Sequence, residues 1–236
     1  MPVDRSFSFQ PVNLQVPRAY VDIHGRFQAH TMIPGNRYIE NIMLADHVGR
    51  RVPGDFVECG TWRGGMACGL MAVSEAAGNA PDRHFHFFDS FEGLPPADAE
   101  KDGIAAVDYQ KDPAAPGHFN NCSADYEGFA ALVHAQGVAP ERIHIHRGWF
   151  QDTVGHYAGG PISVLRLDGD WYESTMTCLE ALYPLVSPGG AIIIDDYDDW
   201  DGCSLAVHDY LSRHRLPARI HRTVLCRVAF LIKVAE

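Results

Sequence analysis

The chain lacks any apolar run approaching the ~20 residues needed to cross a bilayer. Its first residues lack the basic-then-apolar order of a secretory signal, so a cytoplasmic protein without membrane contact is expected. Positive charge is scarce: 19 Lys and Arg stand against 30 Asp and Glu, a formal charge of −11. That balance argues against nucleic acid or anionic lipid as a partner. None of the six cysteines forms a C-x-x-C pair, which removes the commonest zinc pattern and leaves free thiols as the expectation. No G-x-G-x-x-G occurs, so the loop that cradles a dinucleotide pyrophosphate is missing. Internal repeats and low-complexity tracts are absent too. What remains is 236 residues, 46% of them apolar, enough for one sizeable domain.

Two apolar runs end abruptly in carboxylates: Val164 to Leu167 runs into Asp168-Gly169-Asp170-Trp171, and Ile192 to Ile194 into Asp195-Asp196-Tyr197. Both read as buried strands. Between them, apolar or aromatic residues at 172, 176, 179, 182, 183 and 186 give helical spacing, with Ser187-Pro188-Gly189-Gly190 as a stop. Strand, helix, strand is a right-handed crossover between parallel strands, whose carboxyl ends share one sheet edge. Ligands of open α/β sheets bind at that edge, so Asp168, Asp170, Asp195 and Asp196 converge there. Clustered carboxylates repel one another unless a cation lies between them, and an all-oxygen set suits Mg²⁺ first, then Ca²⁺ or Mn²⁺. The same residues also read without a metal: Asp170-Trp171-Tyr172-Glu173 fits a capping box. Asp195 and Asp196 reach one ion only if their strand has already ended.

Residues 1–36 are polar and proline-punctuated, an arm without strong period, and 36–48 reads as a helix with one apolar face. Asp55 to Gly60 is a first strand, followed by a glycine turn and a small-residue helix closed by Gly78. Arg83 to Asp89 is a second strand, and an acid at its end is placed to accept hydrogen bonds from a ribose, although Asp89 is also a natural turn cap. An adenosine ligand without a pyrophosphate follows, which favours S-adenosylmethionine (SAM) over NAD. The long polar stretch 95–121 is expected to be a substrate lid. A helix at 124–137 and a third strand at 143–147 lead to Trp149-Phe150, an aromatic pair suited to an adenine ring or to core filling. The pairs His84/His86 and His144/His146 read as strand-face residues on the sheet's outer half rather than metal ligands. A helix over 201–216, capped by Asp199 or Asp201, precedes an antiparallel hairpin of strands at 219–223 and 225–234. A parallel sheet finished by one antiparallel hairpin is the class I SAM-dependent methyltransferase topology: seven strands, helices on both faces.

Five stretches carry a family resemblance: PGDFVECGTWRGG (53–65), FFDSFEGLPP (87–96), GWFQDTV (148–154), VLRLDGDWYEST (164–175) and PGGAIIIDDYDDWDGC (188–203). With these the sequence resembles the macrocin O-methyltransferase family over about residues 31–234. That family consists of SAM- and Mg²⁺-dependent enzymes that methylate sugar hydroxyls on antibiotics. Catechol-type O-methyltransferases share the metal acids but place a lysine shortly after the first, where this chain has Asp170 and Trp171. The resemblance implies that Asp168, Asp195 and Asp196 hold Mg²⁺ and that Asp170 is the general base. It also implies that Glu58, Gly60, Gly64 and Gly65 face the methionine half of SAM and that Asp89 meets the ribose. Ser90, Gly148 and Trp149 would surround the adenosine, with Asp168 at the cofactor as well and Thr31-Met32 closing over it. A sugar-bearing small molecule is the implied substrate and a homo-oligomer the implied assembly. An NAD(P)-dependent reductase and a catalytically dead SAM-binding protein are the readings from other classes.

Overall fold

The computed structural model describes residues 16–235 apart from 79 and 116. In chain order its elements are α1 (Arg18–Phe27), α2 (Gly35–Gly49), β1 (Asp55–Cys59), α3 (Gly65–Ala77), β2 (Phe85–Asp89), α4 (Gly103–Lys111) and α5 (Tyr126–His134). There follow β3 (Ile143–Arg147), α6 (Phe150–Thr153), β4 (Ile162–Leu167), α7 (Tyr172–Leu182), β5 (Val186–Ile194), α8 (Asp201–Arg213), β6 (His221–Arg222) and β7 (Ala229–Ile232). The sheet has seven strands in the order β3-β2-β1-β4-β5-β7-β6. Strands β1 to β5 are parallel, and β7 runs antiparallel to both β5 and β6. The strand order reverses between β1 and β4, so the crevice beyond their carboxyl ends is where a ligand sits in such a sheet. The fold is the expected class I SAM-dependent methyltransferase fold.

Alternate strand residues feed two cores. Phe56, Val164, Ala191 and Ile193 face α1, α2, α3 and α5, packing with Phe27, Tyr38, Ile42, Leu70 and Phe129. Val57, Cys59, Leu165, Leu167, Ile192 and Ile194 face α7 and α8 with Met176, Leu179, Ala206 and Tyr210. Glu58 and Arg166 therefore share the first face, and they are direct partners in the β1–β4 register.

Several expectations need correction. The described part of the 1–36 arm holds α1, whose Tyr20, Ile23 and Phe27 pack into the first core; residues 1–15 lie outside the described chain. The 95–121 stretch is not a plain loop, since α4 sits within it. The helix after Trp171 ends at Leu182, passes through one 3-10 turn, and the Ser187-Pro188-Gly189-Gly190 stop lies inside β5. Neither Asp199 nor Asp201 caps α8; its N-cap position is Trp200, without a side-chain cap. The hairpin strands are shorter than read, but their antiparallel pairing stands. The histidine pairs do lie at the sheet's outer half. His84 Nδ1 meets His144 Nε2 at 2.8 Å and His86 Nδ1 meets His146 Nε2 at 3.1 Å, with β3 the edge strand.

Candidate active site

Beyond β1 and β4 opens a cavity of about 370 Å³ lined by Glu58, Gly60, Asp89, Ser90, Trp149, Asp168, Asp170, Asp195 and Asp196. Its volume falls in the range of small-molecule sites. At one end, Asp168, Asp195 and Asp196 each present an oxygen within 4.8 Å of the others. Adjacent Asp195 and Asp196 both reach the cluster because β5 has ended at Ile194 and the chain has entered a turn. Asp195 N–H still bonds to Leu167 O at 2.9 Å, while Asp196 O accepts from Asp199 and Trp200 N–H at 3.0 Å each.

Asp170 occupies the loop between β4 and α7 with a left-handed φ of 56°, a costly conformation for a residue with a Cβ. Asp196 Oδ2 holds it there by accepting the Asp170 N–H at 3.0 Å. The capping-box reading fails: α7 has no local side-chain cap, and the carboxylate is free to line the cavity. Burial, then the neighbouring Asp168, push the Asp170 carboxyl up to about 8, opposed by a hydrogen bond to Trp200. Burial also raises Asp168 to about 6 and drives Asp196 well above the carboxylate range, with the other acids adding to the shift in Asp196. This is the electrostatic signature of acids packed together with too little positive charge.

The fully buried guanidinium in their midst is Arg166, while Arg37 reaches Asp195 at 4.0 Å from the rim and pairs with Asp199. Its Nη1 donates to Glu58 Oε1 and to Asp168 Oδ2, both at 2.9 Å, and its Nε donates to Asn41 Oδ1 at 3.2 Å. Nη2 lies 3.0 Å from Asp195 Oδ1, an ion pair off the line of a hydrogen bond. Burial pushes Glu58 up to about 8 against the pull of Arg166, and its Oε2 is buried without a donor.

At the other end, Asp89 braces the glycine turn. Its Oδ2 accepts from Thr61 N–H at 2.7 Å and Trp62 N–H at 2.9 Å, and its Oδ1 accepts from Phe91 N–H at 2.7 Å. Gly60 is required there: φ is 88°, and a Cβ would lie 1.8 Å from Asp168 O.

The Macrocin-O-methyltransferase (TylF) family profile matches residues 20–230, nearly the whole chain. The chain belongs to the macrocin O-methyltransferase family. It is thus an O-methyltransferase. A relative from Streptomyces olivaceus is 40% identical over 192 residues, 79% of this chain and 69% of its own. It is named 8-demethyl-8-(2,3-dimethoxy-alpha-L-rhamnosyl)-tetracenomycin-C 4'-O-methyltransferase. The mycinamicin III 3''-O-methyltransferase of Micromonospora griseorubida is 36% identical over 198 residues, 81% of this chain and 74% of that protein. Among solved structures, the O-methyltransferase NovP superposes with a TM-score of 0.73 at 30% identity, covering 87% of this chain and 83% of its own.

Within this family member, Gly64, Gly65 and Gly148 are not among the residues that line the cavity. Gly64 instead makes room for Phe129, and Gly65 for the His30 carbonyl, which a Cβ would approach to 2.6 Å. Through that contact the 30–34 segment meets the start of α3, and His30 to Pro34 line the cavity. Trp149 and Phe150 line it too. Sequence reasoning missed Arg166, Asn41, Tyr109 and Trp200. Only Arg166 carried a signal, a lone cation inside an apolar strand.

Proposed function

We propose that this O-methyltransferase transfers the SAM methyl group to a sugar hydroxyl of a glycosylated natural product or nucleotide sugar, with Mg²⁺ held by Asp168, Asp195 and Asp196. The observation that carries this reading is Asp170 standing against the three-acid cluster in a cavity that continues to Glu58, Ser90 and Trp149. The residues fit both groups. Glu58 Oε2, buried and without a donor, suits the ammonium of the methionine half. Three carboxylates that bring oxygens within 4.8 Å of one another suit a hard dication, and burial raises the proton affinity of two of them, Asp168 and Asp196. The Streptomyces olivaceus relative, whose name gives a rhamnosyl-bearing substrate, supports the sugar.

The reaction is an in-line displacement, so positioning matters greatly. Ser90 and Trp149, which line the cavity, would flank the adenosine. Asp89, which accepts from three backbone N–H groups and from Thr61 Oγ1 at 3.4 Å, would meet the ribose at the end of β2. Bound SAM would supply the methyl group, the hydroxyl oxygen bonding to its carbon as the carbon–sulfur bond breaks to leave S-adenosylhomocysteine, and Asp170 would accept the hydroxyl proton. Sugar hydroxyls have pKa values not far below the ~15.7 of water. Ionising one at neutral pH costs on the order of 10 kcal/mol at ~1.4 kcal/mol per unit. A bound dication supplies part of that stabilisation as a Lewis acid. Asp170, beside the acid cluster in the cavity, would accept the proton as the bond forms. Tyr109, Phe119 and Trp200 from the 95–121 stretch and the α8 approach wall the acceptor side.

The test is transfer from methyl-labelled SAM to TDP-rhamnose and to rhamnosylated aglycones, with Mg²⁺ or with EDTA. Label on the sugar, lost with EDTA and restored by Mg²⁺, is expected. Transfer to catechols alone overturns the substrate assignment, and EDTA-insensitive transfer overturns the metal.

A further inference from the structure

Helix α7 starts two residues after the proposed base, and its N-terminal N–H groups need acceptors. The N-cap residue Trp171 supplies no side-chain acceptor. The cap comes from far along the chain: Tyr172 N–H donates to Asp102 Oδ1 at 2.7 Å. Asp102 is buried, and its Oδ2 accepts from Asp98 N–H at 2.8 Å, so it ties its own turn to α7 at once. It lies against α8 as well. Gly202 stands in the first turn of α8, and a Cβ there would come within 2.1 Å of Asp102 Oδ1. One carboxylate thus caps the start of α7, where partial positive charge gathers, and packs against the first turn of α8. The neighbouring tie runs from Trp171 indole N–H to Pro95 O at 2.9 Å. The neck of this segment is closed, Asn121 Nδ2 donating to Leu94 O at 2.8 Å and Leu94 N–H to Asn121 O at 2.9 Å. Asp170 is therefore held from both sides, by Asp196 before it and by the 95–102 segment after it.

We propose that Asp102 is a positioning residue that locks the acceptor wall onto the base loop, so that residues 95–111 work as a fixed wall rather than a lid that must open. This rests on the reading of Asp170 as base. The discriminating probe is amide hydrogen exchange in Asp102→Ala, which needs no substrate. Exchange at the Asp170 and Tyr172 amides should quicken at least ~10-fold, together with 96–111. Affinity for S-adenosylhomocysteine should stay within about twofold of wild type. Turnover with TDP-rhamnose should fall ~10- to 100-fold, the scale of a 1 Å misplacement. Asp102→Asn keeps the Oδ1 acceptor and should recover Asp170 protection and rate to within about threefold. Gly202→Ala, which displaces the carboxylate without removing it, should reproduce the Asp102→Ala pattern and serves if that variant does not fold. Unchanged Asp170 exchange in both Asp102→Ala and Gly202→Ala overturns the proposal, as does Asp102→Asn failing like Ala. A wild-type rate in Asp170→Asn sinks the base reading alone, whereas slow Asp170→Asn with normal Asp102→Ala sinks only the lock.

Discussion

Replacing Arg166 by Met isolates the charge balance of the site. The guanidinium is fully buried and pairs with Glu58, Asp168 and Asp195 within 3.0 Å. Methionine fills a comparable volume but leaves three acids facing one another. Removing one partner of a buried ion pair typically costs about 3–5 kcal/mol, because the survivors are left uncompensated. At ~2–4 °C per kcal/mol for a chain of this size, Tm should drop by roughly 6–20 °C. Glu58→Gln is the matched control. Burial pushes the Glu58 carboxyl toward its neutral form, and glutamine keeps the Oε1 acceptor for Arg166 Nη1 while removing only the charge. Its cost should stay under about 1 kcal/mol. Differential scanning calorimetry at pH 7, with and without 5–10 mM MgCl₂ as a roughly saturating dose, reads both variants. Added Mg²⁺ should raise Tm more in Arg166→Met than in wild type, because it supplies the missing positive charge. A loss below 1 kcal/mol in Arg166→Met, or a larger loss in Glu58→Gln, would refute the assigned balance.

Asp195→Ala should abolish turnover while S-adenosylhomocysteine affinity by calorimetry stays within about threefold; a collapse of that affinity would move Asp195 to the cofactor. Asp170→Asn should keep Mn²⁺ binding by electron paramagnetic resonance and lose ~10²- to 10⁴-fold in rate, the usual contribution of a positioned base. Gly60→Ala places a Cβ 1.8 Å from Asp168 O at a left-handed φ, so poor soluble yield or a Tm loss above 10 °C is expected, and a normal melt would contradict the turn geometry. Carboxyls whose folded pKa exceeds the unfolded value hold more protons when folded, so their fold loses stability as pH rises. Glu58 and Asp170, each raised to about 8, act on the metal-free protein between their unfolded values and pH 8. His146, lowered to about 4 by burial and by His86 and His144, gives the opposite slope below 6.5, so the clean window is pH 6.5–8. Metal-free Tm should fall across it and flatten with Mg²⁺; a rising metal-free curve would reject the raised values.

Strand ends were legible because apolar runs that stop in carboxylates, at Asp168 and Asp195, obey a short local pattern. The turn after Gly60 was legible for the same reason. What stayed hidden depends on distant partners. Helix α1 rests on Tyr20, Ile23 and Phe27, a stripe too brief to stand out among prolines. Helix α4 buries only Ala106, so its sequence shows almost no period, and its place is set by Asp102 and Gln110 bonds to other segments. The cap of α7 could not be read at all, since seventy positions separate donor and acceptor. Arg166 is the instructive case. A cation inside VLRLD breaks the rule that buried strands are apolar, and such a break is retained where charge is needed. Its register partner Glu58 had the same oddity one strand away. Read as a pair, they place a guanidinium between the cofactor end and the acid cluster. Glu58, Asp168 and Asp195 then share one fully buried guanidinium, with Arg37 reaching Asp195 only at 4.0 Å, and a dication beside a cationic cofactor would add the positive charge that such a cluster draws.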